Sequence, residues 1–246
     1  MRKIINYLNL NHVGLLELIF AFYCILAGYN WGAIKGKLFF IILMAIIALN
    51  RKDKASFRMK ELAWVSIFAV FHELILMIAI SGPGYMFNNT VSMALVCASI
   101  FPISKAIKYE KMVGSLNWIS LLSIGGILYH FLIIRNGGFV TPISLPFLPA
   151  LDTSSRLFEA GFRPTSFYAE PAAFVTFMMV PLFISLFERR FIWSAVIVFS
   201  MFLSTSTTGV TMSILMLAVY VLTQKVEIKY KFWVTIFGCA ILYILF

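Results

Sequence analysis

The sequence predicts an all-α, polytopic integral membrane protein of about nine transmembrane helices, because each crossing needs ~20 apolar residues. Hydrophobic residues make up 61% of the 246 residues, charged residues only 12%, and the mean hydropathy is +0.94. A soluble domain carries about 25% charged residues. Apolar segments also recur along the whole chain, with no polar block long enough for a separate domain. We therefore expect one membrane domain over residues 1–246.

Nine apolar windows define the expected spans. They lie near 13–30, 36–49, 62–80, 90–107, 115–134, 170–187, 191–204, 209–224 and 231–246. Backbone polar groups must be satisfied internally in hydrocarbon, and these runs lack the alternation of a membrane β-barrel. The windows therefore predict helices. Met1-Arg2-Lys3 precedes the first window without a convincing signal cleavage site, so we expect a retained first helix.

The basic residues predict the orientation, since Lys and Arg accumulate in cytoplasmic connections. With the N-terminus inside, fifteen of the 20 Lys and Arg residues fall on the cytoplasmic side. The other five are Lys35, Lys37, Arg135, Arg156 and Arg163. This asymmetry explains the net charge of +10 without a nucleic-acid partner, and membrane lipid becomes the expected surrounding.

The cysteines indicate neither a disulfide framework nor a metal site. Cys24, Cys97 and Cys239 lie within apolar runs, without CxxC spacing and without clustered His. We expect them to be packing residues and predict no metal and no cofactor.

Two connections differ from the others, and both are predicted to lie outside. The outer loop, 135–168, is long and rich in Pro and Gly, and long ordered loops tend to carry function. The second is the run STSTTG at 204–209, between two apolar segments short enough to form a tight helical hairpin.

Glu170-Pro171 opens the sixth window. Proline suits the first helical position and a carboxylate is favoured at a helix N-terminus, so one interpretation of Glu170 is a helix cap. The other is a site in which Arg163, with Arg156, places guanidinium groups beside that carboxylate, since Arg binds phosphate through a planar fork of donors. Residue chemistry alone favours the cap.

Each remaining polar candidate also has a structural and a functional interpretation. The hydroxyls of Ser204, Thr205 and Ser206 are expected to bond helix carbonyls or cap a helix, with sugar binding as the functional alternative. Glu17, His72 and Glu73 fall inside predicted spans, where interhelical hydrogen bonding is favoured over a proton relay. His130 is expected at the membrane interface.

Three segments together resemble the bacterial O-antigen and capsule repeat-unit polymerases of the Wzy type, within the superfamily that includes the O-antigen ligases. They are GFRPTSFYAEPAAFVTFMM at 161–179, SLFERR at 185–190 and FLSTSTTGV at 202–210. The pattern is an outward Arg, Glu-Pro at a helix start, a short cytoplasmic turn, and a Ser/Thr-rich segment ending in Gly. Each motif is weak alone, and the likeness covers roughly residues 156–224.

The resemblance implies a membrane glycosyltransferase that joins oligosaccharide units carried on undecaprenyl pyrophosphate, at the outer face of the bacterial cytoplasmic (inner) membrane. It implies no metal or nucleotide cofactor, and a chain-length regulator as a further partner. By this analogy Arg163 stabilises the pyrophosphate and Glu170 orients or deprotonates the acceptor hydroxyl. Arg156, Tyr168, Ser204, Thr205 and Ser206 are then expected to bind substrate.

The sequence departs from the family pattern in ways that leave other functions open. Pro164 follows Arg163 directly, Ala172-Ala173 replaces the Ser often found after the Pro, and a second large outer loop is missing. We therefore expect a chain that is incomplete at its C-terminus. The alternatives are a lipid-linked oligosaccharide flippase or other transporter, and a non-catalytic membrane remnant.

Overall fold

The protein is all-α, as predicted. The computed structural model describes residues 2–26, 29–31, 34–51, 83–145 and 163–223, and scattered residues between 63 and 75 that are helical. The window 231–246, the middle of the outer loop with Arg156, and His72 with Glu73 lie outside these described residues. The chain divides into two compact units, Met1–Ser115 and Leu116–Phe246.

The described part of the first unit contains helices of 6 to 24 residues and one small antiparallel strand pair. Its helices are α1 (Arg2–Tyr7), α2 (Leu15–Leu26), α3 (Gly36–Leu49) and α4 (Pro83–Ala106). Strands β1 (Asn30–Trp31) and β2 (Ile34–Lys35) pair between α2 and α3, with Asn30 opposite Lys35. The predicted helix over 13–30 therefore ends earlier, in a stretch whose Gly and Asn residues disfavour helix.

Apolar side chains from α2, α3 and α4 form the core of this unit. The buried members of the core are Leu16, Ile41, Met44, Ala48, Ile103 and Ala106. Ile41, Met44 and Ala48 recur at the three- and four-residue spacing that places them on one face of α3. The helix that coincides with the predicted window 36–49 thus turns this face inward and leaves Phe39, Ile42 and Ile46 exposed.

A buried carboxylate ties the helix ends of the first unit together. Glu17 is 0% exposed, and its Oε1 accepts hydrogen bonds from Arg51 Nη1 at 2.7 Å and from the Lys108 backbone N–H at 3.0 Å. Arg51 Nη1 also donates to the Ala106 carbonyl at 2.7 Å. We call Glu17, Arg51, Ala106 and Lys108 the Glu17 cluster. Glu17 thus joins helices through hydrogen bonds, as predicted.

The second unit contains most of α5 (Tyr109–Arg135), followed by α6 (Pro171–Phe187), α7 (Phe191–Leu203) and α8 (Thr207–Thr223). Helices α6, α7 and α8 pack on one another. Because only short turns join them, they run alternately up and down. The C-terminus of α7 and the N-termini of α6 and α8 therefore lie at one end of the unit.

The opposite end of the second unit is held by polar and aromatic contacts. Trp193 Nε1 donates to Asn117 Oδ1 at 2.9 Å, which links α7 to α5. Arg190 forms an ion pair with Glu188 across the α6–α7 turn, at 2.8 Å. The ring of Tyr220 lies 6.2 Å from that of Phe187, which brings the last turns of α8 against α6.

The second unit buries small polar side chains within an apolar core and also exposes large apolar side chains. Its buried apolar side chains include Ile127, Phe174, Met178, Leu182, Ile197 and Met201. Its buried polar side chains include Asn117, Ser120, Ser123, Ser185, Ser194 and Ser200. Its exposed apolar side chains include Leu122, Phe183, Ile192, Phe199, Leu215 and Val219.

One helix in the described residues, Tyr109–Arg135, is long and apolar enough to cross a membrane. The other apolar helices found there are shorter, at 10–17 residues, so the predicted nine-span arrangement stays a prediction.

Candidate functional site

The segment Arg163 to Glu170, which we call the 163–170 loop, folds onto the last turns of α5. The backbone N–H groups of Thr165 and Ser166 both donate to His130 Nδ1, at 3.3 Å each. The Ser166 carbonyl accepts from the Ile143 N–H at 2.8 Å, so the 138–145 segment also holds the loop. These bonds require His130 Nδ1 to be an acceptor, which only the neutral imidazole provides.

His130 was predicted to lie at the membrane interface, which stays a prediction, and the structure shows what the side chain contacts. The side chain is 2% exposed and contacts the loop rather than the surface. The backbone N–H groups of Thr165 and Ser166 donate to Nδ1 of this ring. These hydrogen bonds satisfy two buried donors and offset the free-energy cost of burying the imidazole.

Ser166 fits against α5 because the helix has a glycine at the point of contact. A Cβ atom at Gly126 would collide with Ser166 Oγ. Ser166 is itself fully buried and has a φ of 57°, in the left-handed region that costs energy for most non-glycine residues. The loop conformation is therefore imposed by tertiary packing rather than by local preference.

Tyr168 anchors the other side of the loop. Its hydroxyl forms a 3.1 Å hydrogen bond with Ser123 Oγ, about two helical turns from His130. Its ring packs against Phe174 and Phe177 of α6, with ring centroids 5.7 and 5.8 Å away. Tyr168 is buried, so in this conformation it holds the loop between α5 and α6, and its predicted substrate contact stays a prediction.

Glu170 and Arg163 lie at the two ends of the loop. Glu170 occupies the N-cap position of α6 with Pro171 following it, and its carbonyl accepts from the Ala173 N–H at 3.2 Å. The carboxylate makes no capping hydrogen bond to the helix, so the cap is formed by the backbone alone. Arg163 is exposed, and within the described residues no ion pair joins it to Glu170.

The hydroxyl turn, Ser204 to Ser206, connects α7 to α8. Ser204 Oγ donates to the Met201 carbonyl at 2.7 Å, and Ser206 Oγ accepts from the Gly209 N–H at 3.4 Å in the manner of an N-cap. This confirms the expected bonding and capping roles of these two buried residues. Thr205 is different, because it is exposed and has a φ of 53°.

The structure brings the 163–170 loop and the hydroxyl turn to the same end of the second unit. A Cβ at Gly209 would lie 2.8 Å from Val175 Cγ2, so the start of α8 packs closely on the first turns of α6. Val175 is five residues from Glu170, or roughly 7.5 Å along the helix axis. The end of the unit thus carries a carboxylate at a helix start, an exposed guanidinium and an exposed hydroxyl.

The 163–170 loop also contains two buried hydroxyls without hydrogen-bond partners among the described residues. Within the described residues, Thr165 Oγ1 and Ser166 Oγ have no hydrogen-bond partner, although both residues are almost fully buried. Unsatisfied buried hydroxyls cost about 1–3 kcal/mol each. Sequence reasoning named Tyr168 and His130 but missed that they hold this loop, and it missed Ser123 altogether. The one local signal for a close approach to α5 is the glycine at 126.

Comparison with known proteins adds no further assignment. The chain matches no family model, and neither the curated proteins nor the solved structures contain a match. In the described residues, no three His, Cys, Asp or Glu side chains are grouped so that they could hold a metal ion.

Proposed function

We propose that the chain is a polytopic protein of the bacterial cytoplasmic membrane that takes part in polymerising lipid-linked oligosaccharide repeat units. The membrane assignment is supported by the composition, by the large apolar side chains exposed on the second unit, and by the 27-residue helix α5. That helix is roughly 40 Å long, enough for a hydrocarbon core of ~30 Å. The nine-span arrangement with a cytoplasmic N-terminus is part of this proposal.

The polymerase assignment is carried by one observation. Two of the three segments that carry the resemblance, 161–179 and 202–210, lie more than 40 residues apart between Arg163 and Ser204. Both reach the same end of the second unit, with Glu170 at the start of α6 and Thr205 in the turn before α8. Under the proposed topology this end faces outward. A sugar-bearing undecaprenyl pyrophosphate would then approach the site from the outer leaflet.

The exposed groups have chemistry suited to that reaction. The Arg163 guanidinium would bind the pyrophosphate and stabilise the negative charge that develops as the glycosidic bond to it breaks. Glu170 would orient the acceptor hydroxyl and take its proton as the new bond forms. The Thr205 hydroxyl would hydrogen-bond a sugar, while Ser204, Ser206 and Tyr168 support the surface from inside the protein.

The test is the length of surface polysaccharide in the host strain. We expect Arg163→Ala and Glu170→Gln to shorten the chains to one or a few repeat units, at normal protein levels. Arg189→Ala is the matched control, because Arg189 is an exposed arginine at the opposite end of α6, and we expect normal chains. Long chains in both site variants would contradict the assigned roles.

Loss of the whole gene separates the polymerase from its rivals. A polymerase defect leaves single repeat units displayed on the outer face, whereas a flippase defect leaves them on the cytoplasmic face. A non-catalytic remnant predicts unchanged chains on deletion. Accessibility labelling should place cysteines introduced at 163 and 170 outside the membrane, and labelling only from the cytosol would exclude the site.

A further inference from the structure

A large cavity in the first unit has the lining of a lipid site. Its volume is about 890 Å³, within the roughly 300–1,000 Å³ of typical ligand pockets. Most of its lining is apolar and comes from three helices. These residues are Phe20 and Tyr23 of α2, Ile41 and Met44 of α3, and Ile100 and Ile103 of α4. Such a cavity favours hydrocarbon over water, since its walls offer water few hydrogen-bond partners.

Among the described residues that line the cavity, the charged ones lie where α2 and α5 begin. Lys108, Glu110 and Lys111 border it there, together with His12 in the segment before α2. The nearby Arg51 and Glu17 form an ion pair of 2.7 Å with each other. The described lining therefore has two lysines and one carboxylate at this end of the cavity.

We propose that the cavity binds a glycerophospholipid with an anionic headgroup. Its acyl chains would lie against Phe20, Met44 and Ile103, and its phosphate would lie between Lys108 and Lys111. A cavity with apolar walls and lysines at one end complements the acyl chains and the anionic headgroup of such a lipid. Lysines close to the membrane surface also attract anionic lipid. In the proposed topology these lysines face the cytoplasm, so the lipid belongs to the inner leaflet and the site is separate from the polymerase site.

Native mass spectrometry of the purified full chain tests the headgroup preference. Phosphatidylglycerol is compared with phosphatidylcholine of the same acyl chains, and we expect phosphatidylglycerol to be retained more tightly. Replacing both pocket lysines, in Lys108→Gln/Lys111→Gln, should weaken its binding by about fivefold per lysine. Lys105→Gln is the matched control, an exposed lysine on α4 that does not line the cavity. Equal retention of the two lipids, or an equal effect of Lys105→Gln, would overturn the proposal.

Filling the cavity tests the acyl-chain part of the site. Met44→Trp should reduce retention of both lipids, whereas Ile46→Trp, at an exposed position of the same helix, should not. If Met44→Trp does not fold, the lysine variants still test the proposal, because Lys108 and Lys111 lie outside the buried apolar core. Displacement of phosphatidylglycerol by inorganic phosphate, or by less than one equivalent of a polyprenyl phosphate, would assign the cavity to another ligand.

Discussion

The two units of the chain bury polar groups in opposite ways. In the first unit, the carboxylate of Glu17 is fully buried and paired with Arg51, whose side chain is 22% exposed. In the second unit, the fully buried polar side chains are neutral (serines, Thr165, Asn117 and His130), and the ion pair of Arg190 with Glu188 keeps both side chains partly exposed, at 15% and 23%. A fully buried charge needs its partner far more than a buried hydroxyl or a partly exposed charge does. The first unit should therefore depend more strongly on its ion pair than the second unit does.

The two units also differ in backbone strain. Among the described non-glycine residues with positive φ, the first unit has Asn9, a residue type that tolerates the left-handed region. The second unit has Ser166, Arg189 and Thr205, of which the first and last belong to the candidate site. Strained conformations persist where the surroundings impose them, and they cluster at functional sites. This contrast agrees with the proposal that the functional site lies in the second unit.

Breaking the ion pair should have the largest effect on stability. Arg51→Met leaves the Glu17 carboxylate buried without its cation, and we expect a loss of about 3–5 kcal/mol in the free energy of unfolding. The measurement is an unfolding titration in detergent micelles. The matched control is Lys105→Met at an exposed lysine, for which we expect a change within ~0.5 kcal/mol.

A second variant shows whether the charge is the cause. Glu17→Gln/Arg51→Met removes both charges, and it should recover most of the stability lost in Arg51→Met. If Arg51→Met costs no more than the control, then the first unit does not depend on its buried pair and the contrast between the units fails.

A smaller effect on stability is expected from Gly126 in the second unit, with its neighbour Gly125 as the control. Gly126→Ala would push a methyl group into Ser166 Oγ, and we expect a destabilisation of about 1–3 kcal/mol with faster hydrogen exchange in the 163–170 loop. Gly125→Ala is the control, because a Cβ there meets nothing within 4 Å. Alanine should stabilise the helix at that position by about 0.5–1 kcal/mol. Equal effects of the two variants would mean that the loop does not pack on α5 as described.

Local signals in the sequence predicted the helices well. Helix α3 covers the whole of the window 36–49, and α6 begins at Pro171, directly after Glu170, where proline was expected at the first helical position. Both results depend only on neighbouring residues, namely an apolar run and the preference of proline for a helix start. The prediction of helix at residues 29 and 30 was wrong because hydrophobicity alone does not detect a strand pair.

Contacts between distant residues were not predictable in the same way. Arg51 lies 34 residues from Glu17, and His130 lies 35 residues from Thr165. No spacing rule connects such pairs in a single sequence. Glu17 was expected to bond another helix, since burial in an apolar span demands it, but the identity of its partner required the fold. Arg163, Glu170 and Thr205 were chosen from the resemblance, and their roles stay predictions.

The smallest expected effect on stability is also the one that best separates strain from function. Thr205 is β-branched and exposed at a φ of 53°, so Thr205→Gly should relieve strain and stabilise the second unit by about 1 kcal/mol. Thr205→Ser keeps the hydroxyl with less crowding at Cβ, and it should change stability by less. Unfolding titrations measure both variants, and surface polysaccharide length measures their activity.

If the Thr205 hydroxyl binds a sugar, then Thr205→Gly is more stable yet makes shorter chains, while Thr205→Ser keeps long chains. That opposite movement of stability and activity is what a strained functional residue predicts. A glycine variant that is more stable and fully active would make Thr205 a turn residue only. The strained backbone at Thr205 would then serve only to join α7 to α8. The proposal of a functional site in the second unit would depend on Arg163 and Glu170 alone.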